Sequence, residues 1–435
     1  MLNKKLHWEY ALFYAALSYM ILALVFQFMI PYSDGGIASD FFYHVNKAVE
    51  FVSAGKISFL NLFQDMVAIT IMLFHCSAKF SAMLVTLTLE IGYVIALHYW
   101  LCKKIPPSSS GEFKFLYLLI MVLGANLTYF PQFRFYQYGV SGLNTWHNPT
   151  SYAVKPFVVT SFFLFVQMLD YAEKDKPLRQ VSFMRRTYDG FNLTGIFLAI
   201  SLYFMVYGKI SGLAAWGPVV IVYTIIWWIK SSFSKERFNQ CLVIAAAFVP
   251  AGIQSIIHFI YYFPVDGSGR SIVFSGFTNI TIDLLAKQLW AISFSLFIIV
   301  LRRKTVIHNK YIVISFFTYI VAFIERYMFD IVLANGSISQ SGDNGWAAHY
   351  ARIILLLSCL IEFSYYLKET YEGDNQAENN IKLDKKVLRK QLSGRINFSK
   401  GKPIICYIGS AWASLYLVSG LTYILLIFLR RAYGF

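Results

Sequence analysis

Charged residues are scarce in this sequence. They occupy 14% of 435 positions, against about 25% in soluble globular domains. With 57% hydrophobic residues and a mean hydropathy of +0.54, that scarcity excludes a disordered chain and argues against a water-soluble globule. Cysteine is sparse too, confined to Cys76, Cys102, Cys241, Cys359 and Cys406. Each sits in or beside an apolar run and no two approach metal-ligand spacing. They read as buried core side chains, not as a disulfide scaffold or a thiolate metal site. Nucleotide-binding signatures are missing: there is no G-x-x-x-x-G-K-[ST], and no G-x-G-x-x-G in a usable context. That sets aside an ATP-driven pump and a dinucleotide enzyme. Neither a tandem repeat nor a twofold similarity between halves is visible, which weakens the case for an inverted-repeat transporter. No cleavable signal peptide is expected, because the apolar stretch 10–31 is too long and lacks a small-residue cleavage site.

What is present is a series of long apolar runs. A transmembrane helix needs about 20 apolar residues. Runs near 10–31, 80–102, 115–131, 151–171, 190–207, 213–229, 238–262, 284–301, 311–333, 347–367 and 404–429 predict spans. The run at 58–76 carries Asn61, Gln64, Asp65 and His75, and reads as a re-entrant or interfacial segment. The expected fold is an all-α polytopic integral membrane helix bundle of about 11 transmembrane helices. It forms a single membrane domain, with short amphipathic or re-entrant helices in the first outside loop, 31–79. The basic excess, 38 Lys plus Arg against 23 Asp plus Glu, sets topology better than it signals nucleic acid. With the N-terminus inside, most basic residues fall on inside loops, although Arg430 and Arg431 then land outside. The largest inside loop, 368–403, is basic. Its Lys382 to Arg395 portion reads either as a solvated loop or as a basic helix on the membrane surface.

The outside loops concentrate the residues that can do chemistry. In the first, Asp34-Gly35-Gly36 is a turn and Ser39 or Asp40 a helix N-cap. Phe41, His44, Val45, Ala48, Val49 and Val52 then recur at helical spacing, predicting a short amphipathic helix. Asp40 and His44, four apart, share a face. They could deprotonate a hydroxyl or help hold a divalent metal, or serve as a cap and a surface histidine. The second loop, 132–150, ends in Trp146-His147-Asn148-Pro149-Thr150. Asn148 reads as an N-cap with Pro149 at the first helical position. A helix N-terminus near His147 and Lys155 makes a reasonable phosphate site, or a capped span start with a snorkelling lysine. Lys209 stands alone in a tight outside turn, facing a lipid phosphate or anchoring the interface. Glu325 and Arg326 lie within a span, where ionisable residues point to function. Asp343, Trp346, His349 and Arg352 follow the next turn. Glu90 and Glu362 are further acids inside spans, without partners visible in the sequence.

Several of these pieces together resemble the multi-spanning proteins of bacterial surface-polysaccharide machinery, of the GT-C-like glycosyltransferase or O-antigen-polymerase-like kind. The matching residues are Asp40 and His44, Trp146-His147-Asn148-Pro149-Thr150 with Lys155-Pro156-Phe157, Lys209 with Ser211 and Pro218, and Glu325 with Gly342 through Trp346. The resemblance implies an outward-facing cleft that takes a sugar from a polyprenyl-phosphate or diphosphate carrier at the bacterial cytoplasmic membrane. Carried over, Asp40, with Asp34 next, acts as base or metal ligand beside His44. His147, Asn148, Lys155, Lys209, Glu325, Arg326, Asp343, Trp346 and Arg352 are the residues expected to bind lipid phosphate or sugar. The expected partners are the polyprenyl-linked donor, a glycan acceptor, membrane lipid and other polysaccharide-assembly proteins. No cofactor is certain, and a divalent metal is compatible. The alternative is a transporter or flippase of a lipid-linked or small anionic substrate.

Overall fold

The computed structural model describes residues 8–17, 41–106, 111–124, 149–174, 180–184, 186–263, 270–276, 280–332, 335–337, 343–383 and 401–428. Helices dominate them. After a helical stretch at 8–17 come two short helices, α1 (Phe41–Ser53) and α2 (Leu62–Phe74). Next are α3 (Ala78–Lys104), α4 (Gly111–Leu123) and α5 (Pro149–Ala172). A small antiparallel hairpin, β1 (Gln180–Phe183) with β2 (Arg186–Asp189), leads into α6 (Gly190–Gly208). Then come α7 (Ser211–Ala214), α8 (Trp216–Lys230) and α9 (Lys235–Tyr262). Strand β3 (Ser271–Phe274) precedes α10 (Ile282–Ala291), α11 (Ser293–Leu301), α12 (Arg303–Val306) and α13 (Lys310–Met328). Strand β4 (Phe329–Val332), α14 (Asp343–Leu383) and α15 (Gly401–Phe428) complete the chain.

Among the described residues, eight helices are long and apolar enough to cross a membrane, or nine if the bent pair α10–α11 is one span. This is a polytopic helical membrane protein. Of the eleven expected spans, those at 10–31 and 115–131 run beyond the described residues. α2 has 13 residues and rises about 20 Å, short of the ~30 Å hydrocarbon layer.

Capping side chains start six of these helices. Asn61, Ser77, Asp189, Ser234, Thr281 and Asn309 each accept a hydrogen bond from a first-turn backbone N–H, satisfying donors that helix starts leave open. α14 is the central pillar: 78% of its apolar window is buried, against 28% for α9 and α15 at the periphery. Its helix continues to Leu383, into the segment expected to be an inside loop. Small and hydroxyl residues let the helices approach closely. The Ser161 hydroxyl donates to Ser201 Oγ between α5 and α6 (2.8 Å). A Cβ at Gly208 would stand 2.6 Å from Val154 Cγ2, so α6 ends tight against the start of α5.

The bend between α10 and α11 is 64°, with neither proline nor glycine at the break. Tertiary partners supply its hydrogen bonds. Tyr416 OH donates to the Ala291 carbonyl (2.8 Å) and Trp412 Nε1–H to Ser293 Oγ (3.1 Å), both from α15. A break that inserts side chains into the helical ladder is one of the few causes of a sharp kink.

Candidate functional site

Helix ends sort the charged residues into two groups. At the end of the bundle where α3 and α5 finish and α13 begins, several charged side chains are tied into a network. Arg302 Nε donates to Glu362 Oε1 (2.9 Å) and its two terminal nitrogens to Glu369 (2.6 and 2.9 Å). Asn309 Nδ2 donates to the other Glu362 oxygen (2.9 Å). Lys310 pairs with Asp170 (3.3 Å) and Glu173 (2.6 Å), and Tyr311 OH donates to Asp170 (3.0 Å). Lys104 bonds Tyr311 OH, and Lys103 donates to Gln167 Oε1 (2.7 Å). Glu362, an unpaired acid in the sequence, is therefore one arm of an ion-pair network. A network this complete holds helices together and has little capacity left for a ligand.

The opposite end differs. There the short helix α2 presents Asp65, almost fully buried. Its carboxylate accepts from Ser58 N–H (2.9 Å), Ser58 Oγ–H (2.9 and 3.0 Å) and Tyr207 OH (2.6 Å). His44 of α1 meets Gln64 Nε2 through Nδ1 at 2.7 Å, so α1 and α2 are stitched side by side. On the exposed face of α1, Lys47 pairs with Glu50 (2.7 Å), and that bond holds the ammonium above the ordinary lysine range. Two residues beyond Tyr207, Lys209 leaves α6 in extended conformation. Its ammonium lies 4.8 Å from the centre of the Trp346 ring, a cation–π contact. Trp346 in turn meets His349 edge-on (5.6 Å).

Two buried groups face each other deeper in the bundle. Glu90, midway along α3, and Lys155, in the second turn of α5, are each 1% exposed. They interact electrostatically across the α3–α5 contact, and the Lys155 ammonium lies 5.8 Å from the centre of the Tyr93 ring. Glu90 Oε2 has no hydrogen-bond partner among the described residues.

A further group surrounds the bend of α10–α11. Gln288 accepts from Tyr319 OH (3.1 Å) and donates to Tyr327 OH (3.0 Å). The guanidinium of Arg326 sits 5.4 Å from the Tyr327 ring centre. Arg352, half-buried on α14, donates from Nε to the Ala348 carbonyl (3.2 Å). The groups that act on it electrostatically are the hydroxyls of Tyr319, Tyr327 and Tyr416 and the guanidinium of Arg326. No carboxylate of the described residues is among them. Two guanidinium groups near each other in an apolar bundle concentrate positive charge that an anion would balance.

The sequence-derived candidates thus fall into separate neighbourhoods. Lys155 and Lys209 lie on packed segments, since Val154 touches Gly208, and Trp346 joins Lys209. Arg326 and Arg352 share the tyrosine cluster, with half-buried Glu325 alongside on α13. Asp34, Asp40, His147 and Asn148 lie outside the described residues, as does the side chain of Asp343. Sequence reasoning missed Tyr207, Gln288, Tyr319 and Tyr327 as polar partners. No local signal separates a tyrosine in an apolar run from the interfacial belt. Among the described residues no group of three His, Cys, Asp or Glu side chains could hold a metal ion. In comparison with known proteins, the chain matches no family model, no curated protein and no solved structure.

Proposed function

We propose that this chain is a membrane enzyme that transfers a sugar or oligosaccharide from a polyprenyl-phosphate or polyprenyl-diphosphate carrier. It works at the outer face of the bacterial cytoplasmic membrane, crossing it eleven times from a cytoplasmic N-terminus. The observation that carries this reading is the Arg326–Arg352 pair, set among the hydroxyls of Tyr319, Tyr327 and Tyr416. A lipid-phosphate leaving group is an anion held at the membrane surface, and fork-shaped guanidinium groups bind it in two places. Lys209 beside the Trp346 ring adds a second cation and an aromatic face on which a sugar can stack.

The chemistry needs few parts. The acceptor hydroxyl attacks the anomeric carbon while the bond from that carbon to the phosphate oxygen breaks. A carboxylate takes the hydroxyl proton, which is the role for Asp40, with Asp34 next and His44 oriented by Gln64. Negative charge gathering on the departing phosphate is stabilised by Arg326, Arg352 and Lys209. His147, Asn148, Lys155, Glu325 and Asp343 complete the donor's surroundings. A divalent metal, if used, would sit with Asp40.

A second reading has one observation in its favour. Glu90 and Lys155 oppose each other inside the bundle, as charged groups on a transport path do. In that case the chain moves a lipid-linked or anionic substrate without cutting it.

The experiment is the glycan profile of cells lacking the protein. Complementation with wild type, Asp40→Asn or Arg352→Gln at matched membrane abundance should restore the full polymer only with wild type, and the variants should accumulate a short lipid-linked precursor. Full polymer in both variants would remove the enzyme reading and direct attention to Glu90 and Lys155.

A further inference from the structure

Strand β3 has an unusual surface. All four of its residues are exposed, including Ile272 (55%), Val273 (47%) and Phe274 (59%). Alternation would put neighbouring side chains on opposite faces of the ribbon, so both faces of this strand are apolar and uncovered. Among the described residues it pairs only with β4, antiparallel, whose Ile331 is buried. Among the described residues the far edge of β3 is open, with backbone groups that need hydrogen-bond partners.

Helix α10 repeats the theme. At 100° per residue, Ile282, Leu285, Ala286, Leu289 and Trp290 form one stripe, and all are exposed, Ile282 to 87%. The opposite side of α10 packs inward, with Leu284 and Ala291 buried and Gln288 bonding Tyr319 and Tyr327, so the helix is apolar on its exposed face as well. The helix stands 64° from α11, so it lies far off the direction of the span it joins.

We propose that the β3–β4 ribbon and α10 form a platform resting in the headgroup–acyl boundary of a phospholipid bilayer. Two requirements fix that depth. The open edge of β3 needs water or headgroups, which excludes the hydrocarbon layer. Its apolar side chains on both faces, and the apolar stripe of α10, exclude full exposure to water. Only the boundary meets both. The surface is also continuous with a span: α9 exposes Val249, Ile253, Ile256 and Ile260 in sequence. The Arg270 N–H then returns to the Tyr262 carbonyl (2.9 Å), with the Arg270 guanidinium 5.1 Å from the Tyr262 ring centre. A cation on an aromatic ring is a common marker of headgroup level, and β3 starts at the next residue. The partner of this surface is lipid, independent of the chemistry proposed above.

Single cysteines test the placement. Ile272→Cys, Phe274→Cys and Ile282→Cys would be made in a chain whose five native cysteines are alanine, labelled with a fluorophore and reconstituted in phosphatidylcholine vesicles. Nitroxide carried near the headgroup should quench about twice as strongly as nitroxide near the chain terminus, with little quenching by iodide. Ile253→Cys should show the reverse nitroxide order, and Lys235→Cys should respond to iodide. Iodide quenching of β3 equal to that of Lys235→Cys would place the ribbon in water. Stronger quenching by the deep nitroxide would place it in hydrocarbon, and no quenching by either would mean that protein covers it. Each of these overturns the proposal. Should the cysteine-free chain fail to fold, wild type can be photolabelled with a phospholipid bearing a diazirine near its headgroup. Labelling of the peptides containing 271–274 and 282–291 supports the proposal, and labelling of the spans without them refutes it.

Discussion

Replacing Asp65 by alanine should loosen the short helix α2 from the end of α6. The carboxylate serves three donors: Ser58 N–H, Ser58 Oγ–H and Tyr207 OH. A buried donor left without an acceptor costs about 1–3 kcal/mol. Ser58 is only half-buried and can turn to water, so its two bonds fall at the low end. Tyr207 is nearly enclosed and falls higher. The sum is about 3–5 kcal/mol for Asp65→Ala. Tyr207→Phe removes one bond to a charged acceptor and should cost about 1.5–3 kcal/mol. The double variant should cost less than the two singles added, leaving a coupling energy of about 1–2 kcal/mol. Reversible unfolding of the purified protein in mixed micelles by a denaturing detergent measures all three. A coupling within about 0.5 kcal/mol of zero would refute the idea that this bond ties α2 to α6. Since Lys209 follows Tyr207 by two residues, just past the end of α6, Asp65→Ala should also reduce activity more than Tyr207→Phe.

Two further outcomes follow from packing and charge. Glu362→Gln should destabilise by about 3 kcal/mol, because it strips the enclosed side of Arg302, whereas Glu369→Gln at the exposed side should cost under about 1 kcal/mol. The same unfolding assay ranks them, and equal costs would contradict the geometry. Gly420→Ala would drive a methyl into the Leu123 carbonyl and the Gly124 Cα where α15 crosses the end of α4. A loss of about 1–3 kcal/mol, read by the same assay, is expected, and unchanged stability would mean that the two helices do not approach there.

The spans were legible because hydropathy is a local property. Eight of the expected runs, and a ninth with its bend, recur as helices, and the amphipathic helix expected after Asp40 is α1. Features set by distant partners were not legible. Asp65 and Tyr207 are 142 residues apart, and Arg302 finds Glu362 across 60. The sequence marks Glu90 and Glu362 as buried acids alike. Only the fold distinguishes the one enclosed by Arg302 and Asn309 from the one facing Lys155. The break after Ala291 carries no proline or glycine, since Tyr416 and Trp412 stabilise it from another helix. Strand β3 was hidden because Ser-Ile-Val-Phe is too short to alternate visibly, and its partner β4 continues an apolar run that reads as the end of a span.

The most direct test of the functional reading is a transfer reaction with purified protein. A polyprenyl-diphosphate-linked oligosaccharide would be supplied in vesicles with a glycan acceptor, and both the glycan product and the released polyprenyl diphosphate followed over time. Wild type should release both in equal amounts. Arg352→Gln should be slower by about 100-fold or more, as expected for loss of a donor to a developing oxyanion, and Arg352→Lys should recover part of that rate. Movement of intact donor across the vesicle membrane with no release of polyprenyl diphosphate would contradict transfer chemistry and leave a transporter in its place.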